Sequence, residues 1–252
     1  MNEACILVTG GTGAIGRAIV GALLARGDTV VATGASRESV EALAAEQPRA
    51  SDRLHGYAAD LTTGRAAADL SKWLADRALL PTGLVNAARD RRFLATEPDG
   101  TVSRENFIGE LVLGTVLPYE LSISIANSPG ARLESIVNIA SMYGLVAPTP
   151  ALYQLDLSRS SIAYGIAKAG MVQMTRELSV RLAPRIRVNA VSFGGVAGRS
   201  DLAFEQRYAA LCPAGRMLRK DEVAAPVLFL LDPASSSMTG ANLVADGGWT
   251  AW

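Results

Sequence analysis

Tyr164-Gly165-Ile166-Ala167-Lys168 sets a phenol and an ammonium four residues apart, which on a helix puts them on one face. With this tyrosine and lysine content, about 0.07 matches to Tyr-x-x-x-Lys are expected by chance. A cation beside a phenol stabilises the phenolate, and a phenol that gives or takes a proton near neutrality is a general acid or base. A tyrosine and a lysine on a partly exposed helix face explain the same spacing without chemistry, and taken alone the pair is evenly balanced between the two. The second chemistry-bearing stretch is Thr9-Gly10-Gly11-Thr12-Gly13-Ala14-Ile15-Gly16, which contains Gly11-x-Gly13-x-x-Gly16. About 0.2 such glycine patterns arise by chance in a chain of this glycine content, so position decides. The loop leaves a short apolar run, Ile6–Thr9, and enters a helix with Ile15, Ile19, Leu23 and Leu24 at helical spacing. A loop so placed aims free N–H groups and the positive helix end at a pyrophosphate, with Gly10, Thr12, Gly13, Ile15 and Gly16 as its lining. The bland alternative is a glycine-rich strand-to-helix turn with no ligand.

A dinucleotide site expects an acid about 20 residues further on, to hold the ribose 2′-hydroxyl. Here the second strand runs out as Ala32-Thr33-Gly34-Ala35-Ser36-Arg37, and the first acid is Glu38. A carboxylate repels a 2′-phosphate, whereas Ser36 and Arg37 suit one. The expectation is NADP(H) preferred, with NAD(H) possible.

The elements that must position these residues alternate along the chain. Strands are expected at Ile6–Thr9, Thr29–Thr33, Leu54–Ala59, Gly83–Ala87, Ser135–Ala140, Ile186–Val191 and Asn242–Ala245. Helices are expected from Ile15 to the Gly27 stop, at Val40–Ala45, Ala66–Leu79, Phe107–Ile125 with interruptions at Gly114 and Pro118, Ile162–Leu182 and Asp221–Leu231. This order predicts an α/β fold: a Rossmann-type doubly wound parallel sheet of about seven strands, with helices on both faces. Two stretches are longer than connections need, Tyr143–Ser160 and Phe193–Lys220, the second with a short helix near Leu202–Leu211. Nothing divides the chain, so residues 1–252 read as one domain with a substrate loop at about 193–220.

Length and charge narrow the function. The 252 residues suffice for a full core, and 24 basic residues against 24 acidic give no net charge. The nearest thing to a basic run, Arg89-Asp90-Arg91-Arg92, contains an acid, so nucleic acid is not an expected partner. Two cysteines, Cys5 and Cys212, make no disulfide framework, and a single histidine, His55, leaves no zinc site of ordinary composition. No signal peptide or membrane span is expected, with Val223 to Leu231 read as the longest apolar candidate. These features point to a cytoplasmic protein acting on a small molecule. His55 reads as structural, Cys5 as buried, Cys212 as a loop thiol without an activating neighbour, and the terminal Trp249 and Trp252 as packed on the body or on another subunit.

Read together with Asp60 after the third strand, Asn86-Ala87-Ala88 after the fourth, Ser141 after the fifth, Arg187-Val188-Asn189 in the sixth and Asp246-Gly247-Gly248 near the end, the sequence resembles the short-chain dehydrogenase/reductase family along nearly its whole length. The resemblance implies roles by position. Ser141 would hydrogen-bond the substrate oxygen, Tyr164 would exchange the proton with it, and Lys168 would bind the nicotinamide ribose while supporting Tyr164. Asp60 with Leu61 would reach the adenine, and Asn86 would support the central strand beside Ala87 and Ala88 at the cofactor. Gly194 and Val196 would lie against the nicotinamide carboxamide. It also implies a homo-oligomer, tetramer or dimer, burying the helices Phe107–Ile125 and Ile162–Leu182. The chain departs from the family pattern at Ala14, Ala87, Arg89 and Phe193, and at Leu111, where many members carry an asparagine that supports a proton-relay water.

Ser141 and Tyr164 stand 23 positions apart, more than is common in the family. The extra stretch, Val146 to Asp156, resembles that of members from surface-polysaccharide and nonulosonic-sugar pathways, and its Tyr153, Gln154 and Asp156 would add polar reach over a hydroxylated substrate. A surface loop or subunit contact explains it equally well. The leading function is hydride transfer between nicotinamide and a carbonyl or secondary alcohol. The alternatives are a cofactor-binding regulatory protein without turnover and a sugar-nucleotide epimerase or dehydratase, the latter disfavoured because only a short tail follows Val191.

Overall fold

The computed structural model describes residues 4–198 and 200–252. Seven strands, β1 (Cys5–Thr9), β2 (Thr29–Gly34), β3 (Leu54–Ala58), β4 (Gly83–Asn86), β5 (Ser135–Ser141), β6 (Arg187–Phe193) and β7 (Asn242–Ala245), form one sheet in the order β3-β2-β1-β4-β5-β6-β7. Every pairing is parallel. A parallel sheet buries both faces, and β1 shows why its sequence suits that: Leu7 faces one core while Ile6 and Val8 face the other.

The helices are α1 (Ala14–Arg26), α2 (Arg37–Ala45), α3 (Ala66–Ala75), α4 (Arg104–Leu111), α5 (Leu117–Ala126), α6 (Ile162–Arg181), α7 (Leu202–Leu211) and α8 (Ala224–Leu231). Ile19 and Leu23 of α1, Leu43 of α2 and Val227 of α8 pack on one face of the sheet. Leu70 of α3, Leu121 of α5 and Leu178 of α6 pack on the other. Chain order winds outward from β1 to β3, then returns to β4 beside β1. The strand order therefore reverses between β1 and β4, and the crevice beyond their carboxyl ends is where such sheets take ligands. Thr9 and Asn86 end these two strands in register with each other.

Three details differ from the expectations. The helix expected over Phe107–Ile125 is α4 and α5 joined by a π-helical segment, Val112–Val116, just before Pro118. Among the described residues Arg104–Ala126, and not Val223 to Leu231, is the helical run long and apolar enough, by composition, to cross a membrane; half of its most apolar window is buried inside the fold. Asp221 and Glu222 precede α8 in a 3-10 turn, and Glu222 instead takes a two-pronged bond from Arg216 at 2.7 and 2.8 Å. Those bonds to a cation pull the Glu222 carboxyl down to about 2.

Candidate active site

The glycine loop caps α1 with a residue that has no side chain. Gly13 is the N-cap, no side chain bonds the first-turn N–H groups, and the first turn holds no acid. The helix end is thus left for an anion. Gly10 has φ +66°, and a Cβ there would sit 2.7 Å from the Ala88 Cα; one on Gly16 would sit 2.1 Å from the Gly10 carbonyl oxygen. The loop is tied down by Gly10 N–H donating to Thr33 Oγ1 at 3.0 Å. Opposite it, Thr9 Oγ1 accepts from the N–H groups of Ala87 at 3.1 Å and Ala88 at 3.2 Å, holding the chain after β4 against the end of β1.

A cleft of about 450 Å³ opens over this crevice. Of the residues expected at a cofactor, Gly10, Thr12, Gly13, Ile15, Gly16, Asp60, Leu61, Ala87, Ala88, Tyr164 and Lys168 line it. Thr33, Gly34 and Ala35 complete the wall at the end of β2. Ser36 and Arg37 stand just past that wall, exposed, and the Ser36 hydroxyl accepts from Ser39 N–H as the N-cap of α2. Asp60 accepts from the Thr62 N–H and hydroxyl, which holds its carboxyl below the usual range.

Asn86, Ser141, Gly194 and Val196 do not line the cleft. Asn86 is buried and donates to Asn138 Oδ1 at 2.8 Å; Asn138 donates to Thr175 Oγ1 at 2.9 Å, and Thr175 donates to the Met171 carbonyl at 2.8 Å. These bonds tie β4 to β5 and β5 to α6 two turns beyond Lys168, and they leave Asn86 inside the sheet rather than on the cleft wall. Ser141 ends β5 nearly buried, its hydroxyl accepting from Tyr143 N–H at 3.2 Å. Val196 is bridged to Leu218, and the Gly195 N–H donates to the Tyr208 hydroxyl at 2.9 Å.

Lys168 is buried to 6% exposure, although its side chain reaches the cleft wall. Its ammonium donates to the Ile139 carbonyl at 2.6 Å. Burial, and then the nearby Arg89 cation, bring its pKa down to about 8, against a smaller opposing pull from Glu110. The Arg89 guanidinium lies over the Tyr164 ring, 4.3 Å from its centroid.

Sequence reasoning missed this second cation. Arg89, Asp90, Arg91 and Arg92 all line the cleft, whereas the sequence marks Arg89 only as a departure from the family pattern and gives it no role. The signal was available: an arginine stands at a position after β4 where the family has glycine. Glu110 was missed as well. It is 4% exposed, 4.0 Å from Arg89, and its Oε1 has no hydrogen-bond partner.

The long loops pack on one another. Met142, Leu152, Tyr208, Cys212, Met217 and Trp249 form a separate small core, with Tyr208 stacked on Trp249 at 4.4 Å between centroids. Tyr153 shares a hydrogen bond with Tyr143 at 2.9 Å and meets Phe204 edge-on, and Asp156 accepts from Ser158 N–H. Those two side chains are committed to the loop's own structure, while Gln154 is exposed. Cys212 is a correction: rather than a loop thiol it is buried at the end of α7, donating to the Gly247 carbonyl at 3.4 Å. Cys5 is only partly buried, enough to push its thiol up to about 11. Trp249 is packed inside, whereas Trp252 is exposed on the single chain.

A doubly wound sheet with an uncapped, glycine-lined helix end at its switch point defines a dinucleotide-binding protein. A family model described as enoyl-(acyl carrier protein) reductase matches residues 11–250. The 3-oxoacyl-[acyl-carrier-protein] reductase FabG of Aquifex aeolicus is 31% identical over 96% of this chain and 95% of that protein. D-threitol dehydrogenase of Mycolicibacterium smegmatis is 30% identical over 97% and 92%. An uncharacterised short-chain type dehydrogenase/reductase, y4vI, of Sinorhizobium fredii is 35% identical over 97% of this chain, which spans only 43% of that longer protein. Among solved structures, a short-chain dehydrogenase from Leptospira borgpetersenii with bound NAD+ superposes with a TM-score of 0.86 at 27% identity, covering 98% of this chain and 93% of that one. The chain belongs to the short-chain dehydrogenase/reductase family. It is an NAD(P)-dependent oxidoreductase acting between alcohol and carbonyl, and neither the regulatory nor the epimerase alternative gains support.

Proposed function

We propose that this oxidoreductase works on a small polyhydroxylated alcohol or ketone, with Tyr164 exchanging the proton at the reacting oxygen. The observation that carries the reading is one cleft wall holding both the uncapped glycine loop and the Tyr164–Lys168 pair. A nicotinamide cofactor supplies or accepts the hydride when bound. The first-turn N–H groups of α1 and the loop Gly10–Gly16 hold its pyrophosphate, and Asp60 and Leu61 wall the adenine end. Lys168 carries a positive charge below about pH 8 and would serve both the phenol and the ribose from the cleft wall it shares with Tyr164. Ser141 turns its hydroxyl from the Tyr143 N–H to the substrate oxygen, orienting it for Tyr164. Gly194 and Val196, which lie outside the cleft wall, would meet the carboxamide of the bound cofactor.

The hydroxylated substrate class is supported by the relative that is a D-threitol dehydrogenase and by the resemblance of the Val146–Asp156 stretch to sugar-pathway members. Preference for NADP(H) is supported by the missing acid after β2 and by the exposed Ser36 and Arg37 just beyond the cleft wall. Both are tested by assaying polyols, ketoses and oxoacyl thioesters with each cofactor, following absorbance of the reduced nicotinamide. The expected result is turnover on polyols or ketoses and tighter binding of NADPH than NADH in a fluorescence titration. Turnover confined to oxoacyl thioesters removes the substrate class, and tighter NADH binding removes the cofactor preference.

Assembly as a homo-oligomer in the cytoplasm completes the proposal. Ile108, Val116 and Tyr119 on the α4–α5 run and Ile162, Ile166 and Val180 on α6 are exposed on the single chain. Apolar surface on neighbouring helices is what a subunit interface covers. Light scattering at micromolar concentration is expected to give a dimer or tetramer, and a stable monomer contradicts this.

A further inference from the structure

A buried acid with an orphaned oxygen is unfavourable unless something charged faces it. Glu110 lies in the last turn of α4, and its unpartnered Oε1 is the atom 4.0 Å from Arg89. Arg89 leaves the end of β4 and lies across the Tyr164 ring. Lys168 approaches from α6, its ammonium anchored on the Ile139 carbonyl of β5. Two cations with little water between them repel, and the buried carboxylate is what offsets that repulsion. The acid and the arginine are therefore a matched pair, one unfavourable without the other. Just past Glu110, Thr115 donates to the Leu111 carbonyl at 2.6 Å where the helix passes into its π segment.

We propose that Glu110 and Arg89 form a positioning pair for the reacting tyrosine, Glu110 holding the Arg89 guanidinium over the Tyr164 ring. The inference rests on Tyr164 being the proton-exchanging group. A cation on the ring face favours the phenolate over the phenol as the proton leaves. The same pair tunes Lys168, because Arg89 disfavours its charged form and Glu110 favours it. Glu110 is itself faced by Arg89, Lys168 and Asp90, and burial raises its carboxyl above the usual range despite the two cations.

The test uses Glu110→Gln, Arg89→Gln and the double variant, with kcat and KM followed against pH in the reducing direction, where activity falls as Lys168 loses its proton. Glu110→Gln is expected to move that alkaline limb to lower pH and Arg89→Gln to move it higher. Each single change is expected to lower kcat by about tenfold, and the double variant by no more than the worse single, as contacting residues behave. Should Glu110→Gln fail to fold, Arg89→Gln carries the test alone, and Arg89→Lys is expected to restore the limb to its original pH by restoring the charge. Limbs that do not move, fully additive losses, or a rise in KM alone (the mark of a substrate-anchoring arginine) overturn the pair. Failure of Tyr164→Phe to lose turnover would overturn the underlying reading instead, so the two failures are told apart.

Discussion

Tyr164→Phe is expected to lose turnover by about 10²–10⁴-fold, the contribution of a positioned acid–base group, while keeping cofactor affinity. The change deletes one hydroxyl and leaves the ring under Arg89 and on the cleft wall, so the fold has no reason to shift. Neighbouring changes sharpen the expectation. Lys168→Met is expected to lose turnover and cofactor affinity together, because the proposed role of its ammonium includes both the phenol and the ribose. Ser141→Ala is expected to lose rate alone, since its proposed partner is the substrate oxygen. Steady-state kinetics with a confirmed substrate, beside nicotinamide fluorescence titration, read all three. Near wild-type turnover of Tyr164→Phe would mean that the proton comes from another residue or from water.

Gly16→Ala is the second large effect expected, and it acts on binding rather than on chemistry. The added Cβ would meet the Gly10 carbonyl oxygen at 2.1 Å and the Gly11 Cα at 2.8 Å, both backbone, in a loop pinned by Thr33. Backbone so held cannot give way as a flexible side chain would. The loop must move off the helix end, and overpacking of this kind costs about 1–3 kcal/mol. Cofactor affinity is expected to fall by at least about tenfold, which corresponds to about 1.4 kcal/mol, with a lowered melting temperature. Fluorescence titration together with thermal denaturation checks it. Unchanged affinity and stability would show that α1 and the loop can separate without loss, and that the close approach has no part in binding.

Most of the architecture was legible in the chain because its determinants are local. Short apolar runs such as Leu84–Val85 and Ile136–Val137, alternating in order with helix-period segments, read as strands of a covered sheet. Between β1 and β2 the 3.6-residue spacing of Ile19, Leu23 and Leu24 marks a helix, and Gly27, with φ +103°, ends it. The glycine loop and Tyr164–Lys168 were legible for the same reason, since each motif is a single short stretch of at most eight residues. The π segment at Val112–Val116 was not legible. It lies where α4 and the π segment pack on α6 while α5 turns to pack on α3, contacts that local sequence does not encode.

What the sequence determined by itself is the order of elements and the residue types at the two motifs, both set by interactions a few positions apart. Tertiary structure alone decided which residues stand around the tyrosine. Arg89 and Glu110 are 21 positions apart and belong to different elements, and nothing in their local sequence links them. They meet because β4 returns beside β1 and sends its following loop toward α6, while the packing of α4 on α6 turns Glu110 inward. A charge pair of that kind depends on distance and on the exclusion of water, and both exist only once the sheet and its helices have closed around it.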